Sequence, residues 1–525
     1  MGPNMLKDCT ILVLLLGVST TATFVQTARH PEQVFTDQFL FHDAGVNLLL
    51  AKELNAGKVL YRDLSYQYGP IPIYLYTAAS RLFGNSATTY VEFHRSLSLL
   101  HLTLVFLVLR SRFPRWPAAA VTLLGVAPFA IVPGAILGGY LCSAYMPIER
   151  CYLTLLPLLW QPPGIRSNGR AAALGAYIGG YQFIKFGGGF FAGAAVFLLD
   201  LLVLAIAGFR RDQFGRWLRT SLSTLAAFAV VEGFRCGIAV VLLPAAVAWD
   251  VIWPIYIAQN YATLATDLYP WQMSWRHIVL RQLVPILGIA YAVIGMVLAA
   301  RRGVGAIPKM GVLTLALFYG VALFKYFGHT HVFLQYAWML MVPTILLYDL
   351  AGRRAQIFIL VSLLPGWLSL GYLLHHPPTG ADCPRYQMPN GDVLFPSGMD
   401  DPPLLPRLEL LFQQRWGKPH PGPSQRVLIF PMGAGYHFYY RVPRFSRQLW
   451  YIPHFVRPYD TAEIIRNLDQ AAAVIVRGEP SGDALSWAEP LFAPQVVSLL
   501  RERLEPPVQL SPVCRVFFVR PVASP

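Results

Sequence analysis

Three short polar stretches between apolar segments carry the side chains best suited to chemistry. The first contains Asp37 and Asp43 in "TDQFLFHDAG", the second Glu149 and Arg150 in "AYMPIER", and the third Lys185 in "YQFIKFGGG". A carboxylate can take a proton from a reacting group, and a lysine or arginine can hold an anionic group such as phosphate. The glycines after Lys185 would let a ligand approach the backbone closely.

A fourth stretch, "KYFGHTH", brings Lys325, His329 and His331 together within seven residues. One histidine alone would be an ordinary interfacial residue, but two histidines and a lysine predict a cationic rim. No carboxylates accompany them at metal-ligand spacing, so the sequence does not favour a metal site here.

The chain that must position these residues has the composition of a helical membrane protein. Of its 525 residues, 55% are hydrophobic and 13% are charged, and the mean hydropathy is +0.47. Soluble proteins carry roughly 25% charged residues. Apolar windows of about 20 residues, enough to cross the hydrocarbon core as a helix, recur along the sequence. The formal charge of +15 is divided among short basic clusters, a pattern typical of topology signals rather than of a nucleic-acid partner.

Eleven apolar windows predict transmembrane helices, and the basic clusters orient them. With a cytoplasmic N-terminus, the five inside loops hold 14 Lys and Arg residues and a single acid, Asp212, as the positive-inside rule requires. The C-terminus is then outside. The first window also fits a cleaved signal peptide, and either interpretation places residue 28 onward outside. The windows cover residues 9–27, 94–109, 117–138, 150–161, 172–187, 189–208, 220–243, 280–299, 310–327, 331–350 and 356–374.

The first external loop, residues 28–93, is too long to be only a connection. "AGVNLLLAKEL" and "IPIYLYTAASRLFG" have apolar positions at helical spacing, so both are expected to lie along the membrane surface. Between them, "GKVLYRDLSYQYGP" predicts a turn that contains Tyr61, Arg62 and Tyr68. An interfacial aromatic anchor, with Arg62 paired to Asp63, is the alternative to a binding role for this turn.

The composition changes after the last window. Residues 1–374 are predicted to form the transmembrane domain, 375–425 a proline-rich extended linker, and 426–525 a small extracytoplasmic α/β domain. In the last of these, "RVLIFPM", "AAAVIVRG" and "CRVFFVRP" predict strands. "DTAEIIRNLDQ" predicts a helix opened by Asp460, with Glu463 completing a capping box.

None of the six cysteines forms a Cys-x-x-Cys metal or redox pair. Cys383 and Cys514 both fall in the external region, where disulfides persist. They either form a disulfide between the linker and the last strand or remain two separate buried thiols.

The other candidates also have purely structural interpretations. Asp43 is placed to cap a helix over 44–55, Lys185 can extend its amine to the membrane surface, and Glu149 with Arg150 can form an ion pair within a loop. One further pair, Glu232 and Arg235, lies one turn apart inside the 220–243 window. We interpret that pair as structural.

The first loop also carries a family resemblance. An acid after the first span, a short helix, "GKVLYRD", then "YGP" and a second helix ending "RLFG" resemble the first external loop of GT-C membrane glycosyltransferases. The subgroup is that of the protein O-mannosyltransferases and the lipid A aminoarabinose transferase. "FIKFGGGFF", "KYFGHTHVFLQYAWMLMVP" and the tail with "VLIFPMGAGYHFYY" add to it. The sequence departs from the family where Ala44 replaces a second acid and where Gly-His-Thr-His replaces Arg-x-Asp.

The resemblance implies a GT-C-like fold: a polytopic α-helical membrane protein of about 11 transmembrane helices with a C-terminal extracytoplasmic α/β domain. It implies an inverting enzyme that moves a sugar from a polyprenyl-phosphate donor to a lipid, glycan or protein acceptor at the outer face. A bacterial inner membrane is the expected location. The lipid-linked sugar is the donor, no other cofactor is certain, and nothing in the motifs supports a divalent metal.

The resemblance also implies roles for the candidates. Asp43 matches the family's loop carboxylate and would take the acceptor's proton, with Asp37 and Glu149 as the other carboxylates. A second set would bind the substrate and its phosphate: Lys185, Arg62, Tyr61, Tyr68, His329, His331 and Lys325.

Two other classes of function compete with this one. A transporter or lipid flippase predicts acids and broken helices at mid-membrane in two corresponding halves, whereas the sequence shows one intramembrane ion pair, Glu232 and Arg235, and no matching second half. A non-catalytic envelope assembly protein, whose external domain binds a partner, predicts that substitution of Asp43 has no effect.

Overall fold

The computed structural model describes residues 3–29, 31–36, 38–41, 43–131, 145–254, 275–326, 338–364, 366–368, 385–396, 404–422, 425–430, 433–449, 451, 456–477, 485, 488–489, 491–511 and 514–520. Five described helices are long and apolar enough to cross a membrane, which agrees with a polytopic membrane protein. They are Met5–Arg29, Ala87–Arg110, Gly188–Ile206, Arg211–Leu242 and Gly305–Ala322.

The α-helices are numbered here in chain order. The described ones are α1 Pro3–Arg29, α2 Gln38–Phe41, α3 Asp43–Asn55, α4 Pro70–Phe83, α5 Ala87–Arg110, α6 Arg115–Ala120, α7 Ala127–Ile131, α8 Tyr145–Thr154, α9 Leu156–Leu159, α10 Asn168–Gly180, α11 Gly188–Ile206, α12 Arg211–Leu242, α13 Ala245–Ile252, α14 Trp275–Arg302, α15 Leu313–Tyr326, α16 Trp338–Met341, α17 Thr344–Leu350, α18 Arg353–Ser362, α19 Leu404–Trp416, α20 Ala434–Tyr440, α21 Pro458–Asn467 and α22 Pro494–Arg503. A π-helical turn, Val121–Val126, joins α6 to α7.

The helices over the 150–161 and 172–187 windows are shorter than predicted. α10 ends at Gly180, and a 3₁₀ turn, Tyr181–Phe183, separates it from α11. With 13 residues α10 rises about 20 Å, less than the roughly 30 Å of the hydrocarbon core. α10 is therefore too short to cross the hydrocarbon core by itself, and Lys185 lies in the turn that follows it.

The two helices of the first loop have different environments. α4 exposes Ile71, Tyr74 and Leu75, as expected of a helix on the membrane surface. α3 does not, because nine of its 13 residues are buried. The expectation that both helices lie along the membrane surface is therefore wrong for α3, which packs beneath the C-terminal region and shares an apolar core with α20.

The C-terminal region contains a four-stranded sheet, whose strands are β3 Arg426–Phe430, β4 Ala471–Arg477, β5 Val508–Ser511 and β6 Cys514–Phe518. Their order in the sheet is β3–β4–β6–β5. β3 and β4 are parallel, and β6 is antiparallel to both of its neighbours, β4 and β5. One face packs against the first loop and the other against α21 and α22.

The helix predicted to open at Asp460 begins two residues earlier, at Pro458. Asp460 is inside the first turn, where its carboxylate accepts a hydrogen bond from the Arg457 backbone N–H at 3.0 Å. Glu463 does not complete a capping box on Asp460. It accepts instead from the backbone N–H of Arg447 at 2.9 Å, because the preceding loop folds over this end of the helix.

Residues 375–425 are not simply an extended linker. Two short antiparallel strands, β1 Tyr386–Gln387 and β2 Val393–Leu394, occupy part of this segment. α19 buries one face in the core shared with the first loop. Leucines and a phenylalanine at helical spacing outweigh the neighbouring prolines, which lie outside the helix interior or in its first turns.

Candidate functional site

A buried ion pair lies where the first loop meets the transmembrane helices. Glu149, on α8, is 1% exposed, and Lys185, in the turn before α11, is 7% exposed. The lysine Nζ lies 3.4 Å from Glu149 Oε1, and the Tyr181 hydroxyl donates a hydrogen bond to the same oxygen. Buried charges are tolerated only when they are paired and hydrogen-bonded. The structure thus brings together Glu149, which the sequence placed in an external loop, and Lys185, which it placed near the end of the 172–187 window.

The glycine run shapes the turn that carries Lys185. Gly187 has a φ of +78°, in the left-handed region that favours glycine, and its N–H donates to the Gln182 side chain at 2.7 Å. A Cβ on Gly188 would lie 2.6 Å from the Tyr181 ring. The absence of a side chain at Gly188 therefore lets Tyr181 lie against the turn and reach Glu149.

The "YGP" segment of the first loop lies directly on this turn. The Gly69 N–H donates to the Ile184 carbonyl at 3.2 Å, and a Cβ on Gly69 would overlap the Phe183 carbonyl. Only glycine permits such close backbone contact. The first loop is thereby fixed against the residue next to Lys185.

Two predicted tyrosines join the same region. The Tyr61 hydroxyl donates to the Tyr68 carbonyl at 2.5 Å, and the Tyr61 ring centroid is 6.0 Å from that of Phe186. Tyr68 is buried, and its hydroxyl accepts from Gln67 at 2.9 Å. Tyr61 therefore packs near Phe186, the residue after Lys185. Tyr68 precedes Gly69, which contacts the residue before Lys185.

Arg62 differs from these tyrosines. Its guanidinium makes two 3.0 Å hydrogen bonds to the carboxylate of Asp63, and half of its side chain is exposed. These hydrogen bonds are the main cause of the lowered pKa of Asp63. The structure therefore shows the local ion pair that was the alternative interpretation of Arg62.

Asp43 is the first residue of α3 and is half-buried. Its backbone carbonyl accepts from Asn47 Nδ2 at 2.7 Å, and the same amide nitrogen is 3.2 Å from the Tyr90 hydroxyl on α5. The start of α3 is thereby attached to the helix that packs against α8. The structure places Asp43 inside α3 rather than ahead of it.

Beside Glu149 lies Arg150, which the sequence singled out, together with two buried histidines that it did not. Arg150 is 3% exposed, and His94 and His101 are both buried on α5, the helix that packs against α8. The His101 ring packs edge-on against Trp338 at 4.5 Å. His94 and His101 lie seven residues apart on one face of a predicted span, and that spacing was the available signal.

Several predicted residues lie outside the described part of the chain or are only partly described. Asp37, His329, His331 and Cys383 fall outside it, so the proposed disulfide stays a prediction; Cys514 is buried in β6. Lys325 belongs to α15, of which only the backbone is described at this position. Within the described ranges, no group of three or more His, Cys, Asp or Glu side chains could hold a metal ion.

No protein-family model and no curated protein matches the chain. Among solved structures it is similar to the oligosaccharyltransferase of Archaeoglobus fulgidus tethered with an acceptor peptide, at 14% identity and a TM-score of 0.47 over 94% of this chain and 72% of that one. It is also similar to ArnT from Cupriavidus metallidurans, with 96% of this chain and 97% of that one covered at 13% identity. The TM-score is 0.48 for the apo state and 0.37 for the form bound to undecaprenyl phosphate.

Both of these proteins are GT-C glycosyltransferases, the superfamily that the first-loop motifs resemble. Identities and TM-scores this low do not identify an activity. Support for a function has to come from the site of this chain itself.

Proposed function

We propose that the chain is a membrane glycosyltransferase that moves a sugar from a polyprenyl-phosphate-linked donor to a lipid, glycan or protein acceptor. The observation that carries the proposal is the buried pair of Lys185 and Glu149 beneath the docked first loop. Ionisable side chains inside a membrane domain are costly and mark functional sites. A cation recessed in apolar surroundings suits a lipid phosphate that enters from the bilayer.

The proposal includes the arrangement in the membrane. It has eleven spans, a cytoplasmic N-terminus, and the first loop and C-terminal region at the outer face of a bacterial inner membrane. In that orientation the Lys185 turn opens toward the outer leaflet. A lipid-linked donor can then present its head group to Lys185 while its chain stays in the bilayer.

In the proposed reaction an acceptor oxygen or nitrogen attacks the anomeric carbon of the sugar. The bond from that carbon to the phosphate oxygen breaks, the electron pair of that bond stays with the departing polyprenyl phosphate, and the acceptor's proton passes to a carboxylate. Attack opposite the phosphate inverts the anomeric centre through an oxocarbenium-like transition state.

Asp43 is proposed as the base, because it matches the family's loop carboxylate and its helix is attached to α5 near the buried polar residues. Lys185 and Arg150 would stabilise the negative charge that develops on the departing phosphate. Glu149, held by Lys185 and Tyr181, is better placed as the counter-ion that keeps the lysine charged and oriented than as the base.

The aromatic residues of the first loop would form the sugar-facing part of the site. Tyr61 packs near Phe186, and aromatic faces suit the apolar faces of sugar rings. The phosphate-binding role proposed for Lys325, His329 and His331 rests on the sequence motif alone. Asp37 remains a second candidate for the base.

The test is sugar transfer in membranes that contain the chain, compared with membranes that lack it. Radiolabelled polyprenyl-phosphate sugars are supplied, and label is counted in the lipid, glycan and protein fractions. We expect label in one fraction only when the chain is present. If no donor gives chain-dependent label, the glycosyltransferase assignment is wrong and a transporter or assembly role replaces it.

A further inference from the structure

A bidentate ion pair joins the C-terminal region to the short helix α13. Asp250 is 6% exposed, and its two carboxylate oxygens accept from Nε and Nη2 of Arg457, both at 2.9 Å. The Tyr459 hydroxyl adds a third hydrogen bond at 2.6 Å. Bidentate pairing of this kind fixes direction as well as distance.

A second contact joins the C-terminal region to the first loop. Arg447 donates to the backbone carbonyl of Tyr61, and its own carbonyl accepts from the Ser65 N–H at 2.9 Å. Its Nε is 2.6 Å from Asp460, and its guanidinium lies 4.4 Å from the Tyr459 ring centroid. The two contacts therefore share one network on α21 and the loop that precedes it.

Both contacts converge on Phe186, the residue after Lys185. The Tyr61 ring packs near the Phe186 ring. The Arg235 guanidinium lies 5.7 Å from the Phe186 ring and donates to the Val251 and Ile252 carbonyls at the end of α13. Phe186 and Val251 also belong to one small buried apolar cluster.

We infer that Asp250 and Arg457 are positioning residues, through which the C-terminal region sets the place of Lys185 in the transfer reaction. The inference rests on the proposed function. Removing the Asp250 carboxylate takes away the acceptor of all three hydrogen bonds that join α13 to the C-terminal region, so α13 shifts, Phe186 loses its support, and Lys185 moves. A displacement of about 1 Å at a reacting centre can cost on the order of a hundredfold in rate.

The experiment measures initial transfer rates against donor and acceptor concentration for the full chain carrying Asp250→Asn or Tyr459→Phe. Arg415→Gln is the control, because it breaks an exposed ion pair with Glu505 on the same region. We expect about a tenfold rise in the donor KM for Asp250→Asn and a smaller rise for Tyr459→Phe. The acceptor KM should not change.

If these residues had a merely structural role, the variants would contain a smaller fraction of active molecules, but their donor and acceptor KM values would be unchanged. Tyr459→Phe keeps the ring and the ion pair, so it tests the inference even if Asp250→Asn does not fold. The inference is overturned if the donor KM in both variants equals that of Arg415→Gln.

A binding measurement separates failure of this inference from failure of the proposed function. Undecaprenyl monophosphate in detergent is titrated against wild type, Tyr459→Phe and Arg415→Gln, with intrinsic tryptophan fluorescence as the readout. If Tyr459→Phe binds undecaprenyl monophosphate more weakly than both wild type and Arg415→Gln, the positioning role is supported even if wild type transfers no sugar. Equal binding by all three proteins contradicts it, whatever the transfer assay shows.

Discussion

At the residue scale, the site depends on how a buried lysine is paired inside an apolar protein. Lys185 has one carboxylate within 4 Å among the described residues, that of Glu149, and Tyr181 holds that carboxylate in place. Neither charge would be stable there alone. The pair is therefore expected to act as one unit.

This coupling gives the first prediction. Glu149→Gln keeps an oxygen for the Tyr181 hydroxyl but removes the counter-charge, so transfer should fall about tenfold or more. Lys185→Met should also lower transfer, and the double variant should be little worse than Lys185→Met, because both changes disable the same pair.

Initial rates of the wild type, the two single variants and the double variant test this coupling. If the loss of rate in the double variant equals the product of the losses in the two single variants, Glu149 acts independently of Lys185. In that case Glu149 would return as a candidate base.

At the element scale, three close backbone approaches hold the first loop in place. Gly69 lies on the turn before α11, and Gly45 and Gly435 let α3 and α20 touch beside the Phe39 carbonyl. These contacts explain why α3 is buried. In sequence, an apolar helix next to a membrane span resembles a helix that lies on the membrane surface. The helix that covers α3 is α20, which lies some 390 residues later in the chain.

The second prediction concerns Gly69→Ala. The added methyl group would overlap the Phe183 carbonyl, so the loop must move off the Lys185 turn. Overpacking of this kind costs about 1–3 kcal/mol, and we expect transfer to fall at least tenfold with a lower melting temperature.

Gly164→Ala is the control for Gly69→Ala, because a Cβ at Gly164 would meet no atom within 4 Å. Transfer rates and thermal melting of both variants provide the comparison. Wild-type transfer by Gly69→Ala would mean that docking of the loop is not needed for activity.

The sequence was informative wherever a local rule decides the outcome. Apolar windows predicted where helices form, and short apolar runs predicted β3, β4 and β6. It did not predict that Glu149 pairs with Lys185 rather than with its neighbour Arg150, nor that Asp250 pairs with Arg457. Such partners are selected by tertiary packing, which brings together side chains that are 36 and 207 residues apart.

At the scale of the whole molecule, the first loop and the C-terminal region share one apolar core, so neither is expected to be stable alone. His437 lies in that contact region on α20, where its Nδ1–H donates to the Val442 carbonyl at 3.2 Å. Burial is the main cause that lowers the pKa of His437 to about 4.

The third prediction follows from this shift. The unfolded histidine has a pKa near 6.5, so between about pH 6.5 and 4 the unfolded state binds a proton that the folded state does not. The contribution of His437 to the free energy of unfolding is therefore fully present above pH 6.5 and is lost as the pH is lowered. This shift in pKa lowers the free energy of unfolding by about 2 kcal/mol between pH 7.5 and pH 5.

Thermal unfolding of the full chain in detergent, at pH 7.5 and pH 5, measures this dependence. His437→Asn keeps a hydrogen-bond donor but does not titrate, so its melting temperature should depend less on pH than that of the wild type. An equal pH dependence in both proteins would assign the effect to other groups.

The central claim is that Asp43 is the base of a sugar-transfer reaction, and one comparison tests it most directly. Transfer from a radiolabelled polyprenyl-phosphate sugar is measured in membranes with Asp43→Asn and with Asp63→Asn, at matched protein level. Asp63 is a carboxylate of the same loop that is paired with Arg62 at the surface. We predict that Asp43→Asn loses transfer by a hundredfold or more while Asp63→Asn keeps it. Transfer that survives in Asp43→Asn would contradict the assignment and move the base to Asp37 or Glu149.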